Sequence, residues 1–114
     1  MNTPMTHSEA LKKIDELVKS NDIVLFMKGT PEFPMCGFSG RVTQILNHYQ
    51  RKFVGVNVLE EEAMRSAIKV YTNWPTVPQL YVKGTFVGGA DIASEMAQSG
   101  ELEQLLNENL GPLK

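Results

Sequence analysis

The sequence predicts an α/β domain built on a four-stranded mixed sheet, with about five helices distributed over its two faces. Three observations carry this. Apolar residues alternate between helical and extended spacing through the first two thirds of the chain, which calls for a parallel βαβ unit. Two short apolar strands around Lys83-Gly84 then read as a hairpin, which calls for an antiparallel edge. The 114 residues are 42% hydrophobic and 21% charged, enough for one core without disulfides, and a single cysteine could form no internal bridge. The expected domain spans residues 1–114, with 1–5 as a flexible tail.

The elements follow in order. Thr6 and Glu9 form a capping-box pattern, and Ala10, Leu11, Ile14, Leu17 and Val18 recur at helical spacing to about Ser20. Asn21-Asp22 breaks that helix. Ile23–Met27 is an unbroken apolar run with β-branched members, which suits a strand covered on both faces. Lys28–Pro34 is a loop punctuated by Gly29, Pro31 and Pro34. After Cys36, the residues Val42, Ile45, Leu46 and Tyr49 share one helix face. Phe53–Val58 reads as a second strand. Glu60-Glu61-Glu62 places negative charge where a helix start favours it, and Ala63, Met64, Ala67, Ile68 and Tyr71 form the apolar side.

Trp74-Pro75-Thr76-Val77-Pro78 stops that helix. Gln79–Val82 and Thr85–Val87 are the hairpin strands, closed off by Gly88-Gly89. Asp91 reads as the N-cap of a helix over Ile92–Gln98. Gly100 interrupts, and Leu102, Leu105, Leu106 and Leu110 mark a last helix that Gly111-Pro112 ends.

Several functions are disfavoured by composition. The formal net charge is −2, and no basic cluster offers the phosphate-neutralising patch of a nucleic-acid binder. The apolar run Ile23–Met27 is far short of the roughly 20 residues of a membrane span. Met1–Ala10 has neither the basic and apolar regions of a secretory signal nor the arginines of a transit peptide. The expected setting is a bacterial cytoplasm, or an organelle matrix once a transit peptide has been removed. His7 and His48 have no partners at metal-ligand spacing and read as surface residues.

Attention falls on Cys36. It lies where a loop feeds a helix, so free amides and the helix dipole favour a thiolate there. Lys28 can add a positive charge. That pattern points to a sulfur that attacks disulfides or binds metal; the competing reading is a small buried hydrophobe. Ser39 stands where a Cys-x-x-Cys pair would carry its second thiol. A sulfur acting at Cys36 must therefore find its partner in another molecule or a metal.

Four blocks now align in order and spacing: Met27-Lys28-Gly29-Thr30-Pro31, Cys36-Gly37-Phe38-Ser39, Trp74-Pro75-Thr76-Val77-Pro78-Gln79-Leu80 and Val87-Gly88-Gly89-Ala90-Asp91-Ile92. Together they resemble the single-domain monothiol glutaredoxins of the CGFS type, over about residues 8–110. The resemblance implies a thioredoxin-like fold, with Pro78 held cis and the backbone of Thr76 and Val77 open to an extended peptide-like ligand, glutathione. In that frame Gly88-Gly89 lets the ligand approach the backbone closely, the N–H groups of Ala90 and Asp91 hold the carboxylate of a γ-glutamyl group, and the Asp91 carboxylate meets its ammonium. Lys28 and Arg65 are candidates for the glycyl carboxylate, with Lys69 a weaker one. Surface arginines are common, so Arg65 also reads as a solvated helix charge. Asp91 also reads as a cap alone, and Trp74 as a packing residue.

The resemblance further implies a 2Fe–2S cluster shared between two chains. One cysteine per chain supplies two thiolates, and two bound glutathiones supply the other two that such a cluster needs. The expected function is then cluster transfer from a cluster-loaded homodimer to acceptor proteins, with a BolA-like protein as a further implied partner. Two rivals stand beside it. One is a glutathione-dependent thiol–disulfide oxidoreductase acting through Cys36; the Thr30–Pro34 loop and Gly37-Phe38 in place of Pro-Tyr argue for slow turnover. The other is an iron-status adaptor that works by docking a partner. Ala90 departs from relatives that carry a second cysteine there, so no internal disulfide with Cys36 can form.

Overall fold

The computed structural model describes residues 3–113. The chain runs α1 (His7–Ser20), β1 (Ile23–Met27), α2 (Gly37–His48), β2 (Val54–Asn57), α3 (Glu62–Thr72), β3 (Gln79–Val82), β4 (Thr85–Gly88), α4 (Ala90–Ser99) and α5 (Glu101–Leu110). The strands line up as β2-β1-β3-β4. β1 pairs parallel with β2, with Val24 opposite Val54, and antiparallel with β3, with Phe26 opposite Gln79. β3 and β4 form the expected antiparallel hairpin. This is the predicted mixed sheet with five helices.

Central position explains β1. All five of its residues are buried, because helices cover both faces and each alternate side chain needs an apolar partner. Ile23, Leu25 and Met27 point to one face with Leu80 and Val82, where α2, α4 and α5 close the core through Leu46, Ala93, Leu102 and Leu106. Val24 and Phe26 point to the other with Tyr81, where α1 and α3 supply Ile14, Val18, Met64 and Ile68. Phe26 and Tyr81 meet edge to face, with centroids 5.5 Å apart.

The local signals hold at most element ends. Thr6 and Glu9 make the capping box, with the Glu9 N–H donating to Thr6 Oγ1 at 3.1 Å and the Thr6 N–H to Glu9 Oε1 at 2.9 Å. Lys83 and Gly84 both take positive φ, 50° and 80°, as a two-residue hairpin turn requires. Of the expected loose start, Met1 and Asn2 lie outside the described residues. Met5 donates its N–H to the Glu61 carboxylate at 3.3 Å and packs against the α1–α3 core.

Three elements have corrected bounds: β2 spans Val54–Asn57 and not Phe53–Val58, β4 runs through Gly88 and not only to Val87, and α4 spans Ala90–Ser99 and not Ile92–Gln98. α4 begins at Ala90, and its N-cap is Gly89, with no side-chain capping bond. Asp91 is therefore the second residue inside the helix and not its cap. The Gly88-Gly89 corner places the helix start earlier than the apolar spacing suggested.

Candidate functional site

Cys36 sits at the N-cap of α2, half-buried, in extended conformation. As a thiol it caps nothing. As a thiolate it faces the first-turn amides of α2, and its pKa is held below the ordinary thiol value. The Ser39 N–H lowers it most, and the Phe38 N–H, the Lys28 charge and the Ser39 hydroxyl add to this; partial burial opposes them.

Ser39 has a second task. It is wholly buried, and its hydroxyl accepts the Lys28 N–H at 3.1 Å, while its carbonyl accepts from the Thr43 hydroxyl at 3.0 Å. The residue in the second-thiol position thus ties the end of β1 to the first turn of α2. The loop between them turns back on itself. Thr30 and Phe33 exchange backbone hydrogen bonds of 3.2 and 3.1 Å, and the Met35 N–H reaches the Lys28 carbonyl at 2.9 Å. Gly29 permits this: at φ +91°, a Cβ there would lie 2.5 Å from Met35 N and Phe33 O. The turn leaves Phe33 and Met35 79% and 72% exposed.

Beside Cys36 opens a groove of about 550 Å³. The sequence candidates Cys36, Lys28, Arg65, Thr76, Val77, Gly89, Ala90 and Asp91 all border it, although they come from five separate stretches of chain. Lys69 borders it too. Lys28, Arg65 and Lys69 are its three basic residues. The Val77–Pro78 peptide is cis. Val77 makes no backbone hydrogen bond with any other described residue. At the far side, the first amides of α4 lack intrahelical partners.

Some readings of single residues change. Trp74 packs on Phe86, with centroids 5.9 Å apart, but it is 40% exposed and also forms part of the groove wall. Gly88, expected to admit a ligand, is needed by the chain's own packing: a Cβ there would lie 2.7 Å from the Ile92 side chain. Asp91 is not free. Its carboxylate lies 3.9 Å from the Arg41 guanidinium on α2, which itself sits 5.8 Å from the Phe38 ring centroid. Arg41 carried no sequence signal, because its partner lies fifty positions away on another helix. Phe38 and Ile92, to which the sequence assigned no binding role, prove to be groove walls.

Among the described residues no group of three or more His, Cys, Asp or Glu side chains could hold a metal ion. No described helix is long and apolar enough to cross a membrane.

Comparison with known proteins agrees with this geometry. The family model described as Glutaredoxin matches residues 23–87. The probable monothiol glutaredoxin 2 of Rickettsia prowazekii is 50% identical, over 91% of this chain and 97% of its own. The mitochondrial monothiol glutaredoxin-5 of Saccharomyces cerevisiae is 48% identical, over 89% of this chain and 69% of its own. Among solved structures, reduced apo GrxS14 of poplar superposes with a TM-score of 0.81 at 48% identity, covering 93% of this chain and 98% of that one. A buckwheat glutaredoxin–glutathione complex gives 0.83 at 27% identity, covering 98% and 100%.

Proposed function

The chain belongs to the glutaredoxin family and to its monothiol members, and on that premise we propose that it binds glutathione in the groove and carries a 2Fe–2S cluster on Cys36 as cargo for acceptor proteins. The observation that carries this is a lone, half-buried thiol with a lowered pKa at the mouth of a groove lined by cations. We read the chain as one glutaredoxin domain.

Each wall has a role in this reading. Val77, with Thr76, offers its backbone to the extended tripeptide as an added strand. Lys28 and Arg65, with Lys69 behind them, neutralise the glycyl carboxylate. The N–H groups of Gly89, Ala90 and Asp91 receive the γ-glutamyl carboxylate at the helix start, and the Asp91 carboxylate receives the ammonium. Glutathione held in this way brings its sulfur beside Cys36.

The donor set supports the dimer. A 2Fe–2S cluster ordinarily takes four thiolates, and each chain offers one, so two chains and two glutathiones complete the set. Because half of the ligands are exchangeable small molecules, the assembly suits a cluster that is handed on. A reducing compartment is required, either a bacterial cytoplasm or an organelle matrix. A BolA-like protein is a candidate partner of this form.

Anaerobic reconstitution with iron and sulfide, with and without glutathione, tests the proposal through visible spectra and native mass. The expected product is a coloured dimer that forms only with glutathione. A colourless monomer under both conditions overturns it.

The accessible thiolate also supports a second reading. Cys36 would attack the glutathione sulfur of a protein–glutathione disulfide, releasing the protein thiolate. A second glutathione thiolate would then attack the Cys36–glutathione disulfide, leaving oxidised glutathione and the free Cys36 thiolate. Turnover on a glutathionylated protein measures that activity directly.

A further inference from the structure

The segment Trp74–Pro78 forms one wall of the groove, and it contains two prolines and no ladder of its own. Something must set the direction of its peptide groups. Directly behind it lies Gln79, the first residue of β3, whose side chain is wholly buried.

A primary amide has two N–H donors and a carbonyl with two lone pairs. Gln79 Nε2 donates to the Thr76 carbonyl at 3.1 Å and to the Trp74 carbonyl at 3.3 Å. Gln79 Oε1 accepts from the Tyr81 hydroxyl at 3.1 Å. The Thr72 hydroxyl lies 2.9 Å from the same oxygen and shares its one proton with the Ile68 carbonyl at 2.8 Å. Burial raises the Tyr81 pKa to about 12, so its hydroxyl remains a donor at any working pH. One amide thus joins the end of α3 and the start of β3 to two of the carbonyls of the segment between them.

The consequence is geometric. In a planar trans peptide the C=O and N–H point in opposite directions. Among the described residues only Val77–Pro78 is cis, and Thr76–Val77 is trans. A Thr76 carbonyl held on Gln79 therefore turns the Val77 N–H away from Gln79, to the groove side.

We propose that Gln79 is a positioning residue for glutathione recognition, orienting the Thr76–Val77 peptide so that the Val77 N–H is presented to the ligand. The inference rests on the glutathione reading of the groove.

The test compares Gln79→Met with Tyr81→Phe in the full chain. Met keeps the volume and removes both donors to the carbonyls; Phe removes one hydroxyl and leaves those donors in place. Reduced glutathione is titrated by calorimetry, and thermal midpoints and Trp74 emission are recorded alongside; Trp74 is the chain's only tryptophan. Gln79→Met is expected to lose about tenfold in affinity, the equivalent of one net hydrogen bond, with altered Trp74 emission. Tyr81→Phe is expected to lose thermal stability and to bind within about twofold of wild type.

Equal binding by Gln79→Met and wild type overturns the inference and leaves the glutathione reading standing. So does an equal loss in both variants, which would mark a purely structural role. A wild-type protein that binds no glutathione overturns the reading and the inference with it. Should Gln79→Met fail to fold, the wild-type Gln79 side-chain amide protons carry the test by NMR. They are expected to shift when glutathione saturates the groove, and signals that do not move overturn the inference.

Discussion

On the Cys36 wall of the groove, Ser39 is wholly buried and its hydroxyl takes the Lys28 amide at 3.1 Å. On the α4 wall, Asp91 stands in solvent with its carboxylate 3.9 Å from Arg41, both side chains at least half exposed. The first arrangement is rigid, because Ser39 is wholly buried and removing its hydroxyl leaves the part-buried Lys28 N–H without its acceptor, at a cost of about 1–3 kcal/mol. The second is loose, because an exposed ion pair contributes about 0–1 kcal/mol and weakens with salt. The thiol is thus held by the fold itself. The charge proposed to recognise the ligand is held by a contact that a ligand ammonium can replace.

Substitutions test that contrast, beginning with the greatest effect. Cys36→Ser is expected to abolish the coloured, glutathione-dependent dimer altogether; a normal visible spectrum from this variant would remove Cys36 as a ligand. Gly29→Ala comes next. It forces a Cβ to 2.5 Å from two backbone atoms at positive φ, and a destabilisation of roughly 2 kcal/mol or more is expected in urea unfolding. Wild-type stability there would mean that the turn can relax.

Ser39→Ala is expected to cost about 1–3 kcal/mol and to raise the Cys36 pKa, read as a rightward shift in the pH profile of iodoacetamide alkylation. The sign follows from linkage. Cys36 ionises at lower pH folded than unfolded, so its contribution to stability is present above the unfolded thiol value and is lost as pH falls through the folded value. Cys36→Ser should remove that pH dependence, and a slope that persists in the variant would assign it to another group.

The smallest effects belong to the α4 wall. Asp91→Ala is expected to weaken glutathione binding severalfold at low salt. Arg41→Gln is expected to strengthen it by less than tenfold, with both differences shrinking as salt rises. Salt-independent changes of the same size would show the pair to be more than a screened surface contact.

Much of the fold was legible because its signals are local. The run Ile23–Met27 and the strand Gln79–Val82 are recovered to the residue, since an unbroken apolar stretch with β-branched members has one comfortable setting in a covered sheet. The Thr6–Glu9 capping box involves atoms three residues apart and needs nothing else. Asp91 shows the limit. An acidic residue before an apolar helical run looks like a cap, but Gly89 ended the strand early enough for the helix to begin at Ala90. Gly88 shows another: its missing Cβ is required by Ile92 of its own chain, a packing demand with no signature in the motif.

By itself the sequence determined the element order, the mixed sheet and the place of Cys36 at a helix start, because periodicity, turn chemistry and capping act over a few residues. With the family resemblance it also marked nine residues that border the groove, Lys69 among them. The partners of the polar side chains were decided only by the tertiary structure. Ser39 meets Lys28, Asp91 meets Arg41, and Gln79 meets Trp74 and Thr76 once β1, β3 and their helices are stacked. A polar group takes whichever complementary atom the packed layers bring within about 3 Å. That choice depends on sheet order and crossover direction, which no local window of residues contains.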